Sequence, residues 1–216
     1  MGLPDIPPYP MPEAHELPTN RVDWVPRPDR AVLLIHDMQR HFLRVFPRGA
    51  SPTVDLVGNI RALRERAWQL GVPVVYSAQP GGQTAAQRGL QWDMWGAGVG
   101  DEADAGIIDE LAPDDADILL TKWRYNAFHR TGLRDVLDRH GRDQLVITGV
   151  YAHIGCLMTA ADAFMQDIQA FLVADAVADF SRADHEMALR YAADRCAVTA
   201  TTESVLERLA VGAVSA

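Results

Sequence analysis

Three short stretches place chemistry-bearing residues at the ends of apolar runs. Ala31 through His36 leads into Asp37, an acid, and Ile118 through Thr121 leads into Lys122, a base. The third, Val146 through Gly149 and on to Cys156, is an apolar strand running into a turn and a helix start. Backbone N–H groups at such a start can hold an anion or a developing oxyanion. Gly155 stands in that turn and carries no side chain. Burial raises a carboxyl pKa and a neighbouring lysine lowers it, and active-site acids are tuned by opposing pushes of that kind. A strand-end aspartate alone reads as a turn cap. An acid, a base and an anion-holding turn at three strand ends point to proton transfer, because ligands of open parallel sheets bind outside the carboxyl ends of the strands.

The positioning elements follow from periodicity. From Arg30 onward, short apolar runs alternate with amphipathic stretches, which predicts βαβ units and a parallel sheet. Strands are expected near 31–36, 72–77, 117–121, 144–149, 170–174 and 196–200. The clearest helix repeats Leu56, Ile60, Leu63, Ala67 and Leu70, with Ser51 as its cap, Pro52 in its first turn and Gly71 as its stop. Further helices are expected near 103–111, 131–140, 154–166, 182–195 and 202–210, the fourth of these capped by Ser181 with Asp184. Residues 79–101 are Gly-rich without clean periodicity and read as one long functional loop. Residues 1–29 hold eight of the 13 prolines. Proline removes backbone donors and fixes φ, so this segment is expected as an extended arm packed on the 30–216 domain or on a partner subunit.

The chain has 216 residues, 48% hydrophobic and 23% charged, with a formal net charge of −9. Those values describe an ordinary globular α/β domain and disfavour nucleic-acid binding. Two cysteines are too few for a disulfide framework, and no leader or apolar run of about 20 residues appears, so a cytoplasmic setting without membrane contact is expected. No cluster with metal-ligand spacing is present. An anionic substrate would need a locally basic pocket inside this acidic chain.

Six stretches, in order, resemble the isochorismatase family: His36-Asp37-Met38-Gln39, Ala78-Gln79-Pro80, Asp93-Met94-Trp95-Gly96, Thr121 to Tyr125, Gly149 to Cys156, and Val173-Ala174-Asp175-Ala176 through Asp179-Phe180-Ser181. The resemblance implies a three-layer, Rossmann-like α/β sandwich around a six-stranded, mostly parallel sheet. Amide-cleaving members of the superfamily look for an Asp-Lys-Cys triad, and the cysteine slot, six residues after Gly149, is Gly155 here. Cys156 lies one position later, where a helical step of about 100° turns it away. It reads as a small buried hydrophobe, with a cysteine amidohydrolase using Cys156 as the alternative.

The resemblance therefore implies hydrolysis, without cofactor or metal, of the enolpyruvyl vinyl ether of isochorismate or 2-amino-2-deoxyisochorismate. Asp37 would be the general acid, and glycine at 155 would leave room for the cleaved side chain. Gln79 and Arg88 would hold substrate carboxylates, and Lys122 a carboxylate or the ether oxygen. Tyr151 and the Gly155 backbone would contact the enolpyruvyl end, while Phe42, Trp95 and Tyr125 would wall the pocket. Alternation sends His36 to the face opposite Asp37, so it is left out, as is His153. The text from Met38 to Arg44 lies closer to the phenazine-type members than to those of siderophore routes. Some relatives join this domain to an aryl carrier domain. None is seen here, so a stand-alone enzyme is expected, a homodimer by resemblance, with a separate carrier protein as a candidate partner.

Overall fold

The computed structural model describes residues 2–214, so Ser215 and Ala216 of the expected 30–216 domain lie outside the described residues. Strands β1 (Ala31–His36), β2 (Val74–Ala78), β3 (Ile118–Thr121), β4 (Gln144–Val150), β5 (Gln169–Ala178) and β6 (Ala197–Ala200) form one sheet in the order β3-β2-β1-β4-β5-β6. Every pairing is parallel. The order reverses between β1 and β4, which makes their carboxyl ends the topological switch point and the place where a crevice opens.

β1 and β4 are buried along their whole length, as expected of strands covered on both faces. Leu33, Ile35, Val146 and Phe171 face the core shared with Leu56, Ile60 and Leu63 of α2 (Thr53–Gln69). Val32, Leu34, Ile147 and Leu172 face the other core, with α6 (Leu133–Arg139), α7 (Leu157–Met165) and α8 (Arg182–Arg195). The chain ends in α9 (Thr202–Val214), which packs against α2 and β5.

Several boundaries differ from the sequence expectation. No side chain caps α2: Pro52 holds the N-cap position, the buried Ser51 hydroxyl has no partner, and Thr53 Oγ1 donates instead to Pro47 O. After α1 (Arg40–Leu43), the expected 79–101 loop contains α3 (Ala85–Arg88) and α4 (Leu90–Trp95), separated by Gly89 at φ +55°. The expected 103–111 helix is broken into α5 (Glu102–Ala105) and a 3-10 turn at Asp109–Leu111. Between them the chain turns extended, and Ile107 bridges antiparallel to Gln39. The expected 154–166 helix opens with a π-helical turn, Ala152–Cys156, before α7. Ser181 caps α8, its Oγ accepting from the Asp184 N–H.

The proline-rich arm lies along the domain. Asn20 holds the backbone of edge strand β6, donating to Thr199 O at 2.9 Å and accepting from Thr199 N at 2.7 Å, which satisfies groups that an open edge would expose. Ile6 and Tyr9 are buried in the α2-side core. The Tyr9 hydroxyl accepts from Asp179 N at 2.8 Å and lies 3.4 Å from His185 Nδ1. The other nitrogen of His185 lies 2.9 Å from Ala174 O.

Burial pushes the His185 imidazole from 6.5 down to about 4. As pH falls, the unfolded chain takes up this proton before the folded one does. Stability linked to His185 is therefore full above about pH 6.5 and declines as pH falls toward about 4, by at most about 3 kcal/mol. Urea unfolding at a series of pH values should show that decline, and His185→Gln should flatten it.

Candidate active site

Asp37 leaves β1 with φ +51°, in the left-handed region that a short polar side chain tolerates. Its backbone N–H still bonds Ser77 O at 3.0 Å, so the strand ends where the carboxylate begins. Oδ1 accepts from Ser77 Oγ at 3.1 Å, and Oδ2 lies 2.8 Å from Lys122 Nζ and 3.3 Å from Gln79 Nε2. Lys122 continues β3, its N–H bonding Ala78 O at 2.8 Å. Besides Asp37, its ammonium donates to Arg124 O at 2.7 Å and to Tyr125 O at 3.3 Å. An ammonium has three donors, so the buried Lys122, 1% exposed, is fully engaged within the protein. The expected hold of Lys122 on a substrate carboxylate or ether oxygen would require displacing one of these partners.

Gln39 fixes the neighbouring strand end. Its Nε2 donates to Gln79 O at 2.8 Å and to Ala105 O at 2.7 Å, while its Oε1 accepts from Gln79 N at 2.8 Å. Gln79 therefore presents its side chain to Asp37 on one side, and its Oε1 accepts from Arg88 NH1 at 3.4 Å on the other. Arg88 is 3% exposed. Its Nε donates to Gly96 O at 2.7 Å, and burial pulls its pKa below the usual guanidinium value. Among the described residues no carboxylate forms an ion pair with it, although many other cations of this acidic chain have one.

β4 supplies the opposite wall. A Cβ on Gly149, at φ +106°, would lie 2.0 Å from His36 O, so only glycine lets β1 and β4 approach at this register. The Val150–Tyr151 peptide that follows is cis. The π-turn beyond it is tied down by Asp179, which accepts from His153 N and meets His153 Nδ1, both at 2.6 Å. That pairing raises the His153 pKa.

These elements enclose a cavity of about 290 Å³. All nine side chains or backbones singled out from the sequence line it: Asp37, Lys122, Gly155, Gln79, Arg88, Tyr151, Phe42, Trp95 and Tyr125. Tyr151 contributes its ring, since its hydroxyl bonds Phe42 O at 3.1 Å. Trp95 Nε1 donates to the Tyr125 hydroxyl at 2.6 Å. Sequence reasoning missed Gln39, Ser77, His41, Gln91 and Phe180. Gln39 and Phe180 sit within the matching stretches, whereas nothing local marks the other three.

His36 is a correction. Its side chain lines the cavity rather than the far face, because the positive φ at Asp37 breaks the two-residue alternation. The space beneath Gly155 also differs from expectation: it is filled by the His36 imidazole, not left open for a substrate.

Residues 31–204 match the isochorismatase domain. The chain belongs to the isochorismatase family. It is 57% identical to the isochorismatase of Bacillus subtilis, over 97% of this chain and 67% of that protein. Identity is 53% to phenazine biosynthesis protein PhzD1 of Pseudomonas aeruginosa, over 95% of this chain and 99% of the relative. Enterobactin synthase component B of Escherichia coli is 48% identical over 95% of this chain and 73% of its own length. Among solved structures, a cysteine hydrolase from Pseudomonas syringae pv. phaseolicola superposes with a TM-score of 0.81 at 25% identity, covering 90% of this chain and 98% of that one.

In this member of the family the sole nearby thiol is turned away. Cys156 is wholly buried in the core on the α7 side, its Sγ 4.0 Å from Thr148 O, and burial raises its pKa well above the ordinary value. A raised thiol pKa disfavours the thiolate that covalent catalysis needs. Cys156→Ala should keep kcat and KM within about threefold of wild type and cost about 1 kcal/mol of stability. Steady-state kinetics with a urea titration would check both.

Proposed function

We propose that this protein hydrolyses the enolpyruvyl vinyl ether of isochorismate or of 2-amino-2-deoxyisochorismate, releasing pyruvate and a dihydro-hydroxy ring product. The observation that carries it is the cavity floor: a buried acid held by Lys122, Ser77 and Gln79, with no thiol facing it. The names of the isochorismatase and phenazine-biosynthesis relatives support the same chemistry.

Asp37, as the general acid, donates a proton to the terminal methylene carbon of the enol ether. The resulting oxocarbenium ion takes up water, a proton returns to Asp37, and the hemiketal collapses to pyruvate and the ring alcohol. Arg88, a buried cation without a carboxylate partner, takes a substrate carboxylate, as a guanidinium fork is suited to do. Gln79 links it to Asp37. Lys122 keeps the acid in place, and Phe42, Tyr151, Trp95 and Tyr125 keep bulk water out.

Pyruvate release should be seen with one or both compounds, and their relative kcat/KM assigns the substrate. Asp37→Asn should lower kcat by about 10²–10⁴-fold. Full kcat in Asp37→Asn would exclude the mechanism.

The protein acts as a homodimer in the cytoplasm. No helix of the described residues is long and apolar enough to cross a membrane. The dimer is supported by a groove between α4 and α7 that exposes Leu90 (82%), Met94, Met158 and Met165 (73%). A surface of that character is rarely left in water. Light scattering should give a dimer mass for the wild type and a monomer for Met165→Glu.

A further inference from the structure

His36 is a buried titratable group at the cavity floor for which the proposed chemistry has no task. Its Nδ1 lies 2.8 Å from Val150 O, and its Nε2 lies 3.1 Å from Tyr125 O. Nδ1 is also 3.8 Å from Asp37 Oδ1. Tyr125 O is shared, because it accepts from Lys122 Nζ as well. One ring therefore touches the end of β4, the turn that holds the lysine, and the acid itself.

The same ring lies under Gly155. A Cβ built there would sit 2.1 Å from His36 Cε1, 2.7 Å from Nε2 and 3.0 Å from Nδ1. Carbon atoms in ordinary contact are about 3.5–4.0 Å apart, so the ring would have to move by more than an ångström. It has nowhere to go, being 1% exposed and wedged between the carbonyls of Val150 and Tyr125, to one of which its single N–H donates. Any side chain at 155 therefore evicts the imidazole and loosens the Tyr125 carbonyl on which Lys122 rests.

We propose that His36 is a positioning residue that keys Gly155 to Lys122, so that glycine at 155 and the geometry of the Asp37–Lys122 pair depend on each other. The link between 36 and 155 stands on packing alone; its effect on turnover rests on the hydrolase reading above. Two measurements separate these. Thermal unfolding of the wild type, Gly155→Ala, His36→Ala and the double variant forms a cycle. Gly155→Ala should lower Tm by about 5 °C or more in the wild type, but by less than about 2 °C once His36 is alanine. Equal decrements would overturn the link. Should His36→Ala fail to fold, His36→Asn replaces it in the cycle with the same two outcomes.

In pyruvate-release kinetics, His36→Ala should lower kcat about 30-fold with KM within about threefold, and His36→Asn, which keeps one donor, should recover about tenfold. An unchanged kcat, or a loss confined to KM, would overturn the positioning role. A wild type that releases no pyruvate would overturn the functional reading instead, and the unfolding cycle would still decide whether the two positions are keyed.

Discussion

A carboxylate and an ammonium 2.8 Å apart, both almost wholly out of water, set the terms for their surroundings. Removing two charges from water costs several kcal/mol per ion, and their attraction offsets this only when the remaining lone pairs and protons are also bonded. That condition is met from several directions. Ser77 and Gln79 complete Asp37, while the carbonyls of Arg124 and Tyr125 complete Lys122. Asp37 ends β1, Ser77 and Gln79 lie at the end of β2, and Lys122 with its carbonyl partners follows β3, so the three strands must finish at the same height for the pair to exist. Gln39 secures that level by holding both backbone groups of Gln79.

The balance of charge is the second organising feature. A chain with net charge −9 repels anions at long range. Against that field the cavity keeps one guanidinium without a carboxylate partner and lines the rest with aromatic rings, among them Tyr151 and Phe180 with centroids 4.3 Å apart. An excluded-water wall strengthens the attraction of Arg88 for an entering anion, because the local dielectric falls. The two short helices α3 and α4 deliver Arg88 and Trp95 to this wall, and α4 gives Leu90 and Met94 to the exposed apolar groove.

Much of this was legible along the chain, and the failures have identifiable causes. Asp37 and Lys122 were readable because each ends an apolar run, and α2 because its period extends over four turns. α3 and α4, at four and six residues, are too short to show a period, so their segment looked like a loop. Ser51 carried a capping signature, but its buried hydroxyl bonds no N–H of the first turn and Pro52 holds the N-cap position. His36 was misplaced because strand alternation assumes an extended backbone, and the chain departs from it one residue later.

The order of apolar runs and turns by itself determined the parallel sheet and which acid and base end its strands, because burial periodicity and strand-end position are local properties of the chain. The family and the slot at Gly155 were carried by six motif stretches. Tertiary structure alone decided that Lys122 is saturated, that Arg88 lacks a carboxylate, and that an imidazole fills the space beneath Gly155. Those facts depend on distances between strands far apart in sequence, and a side chain's free donors can be counted only once its neighbours are in place.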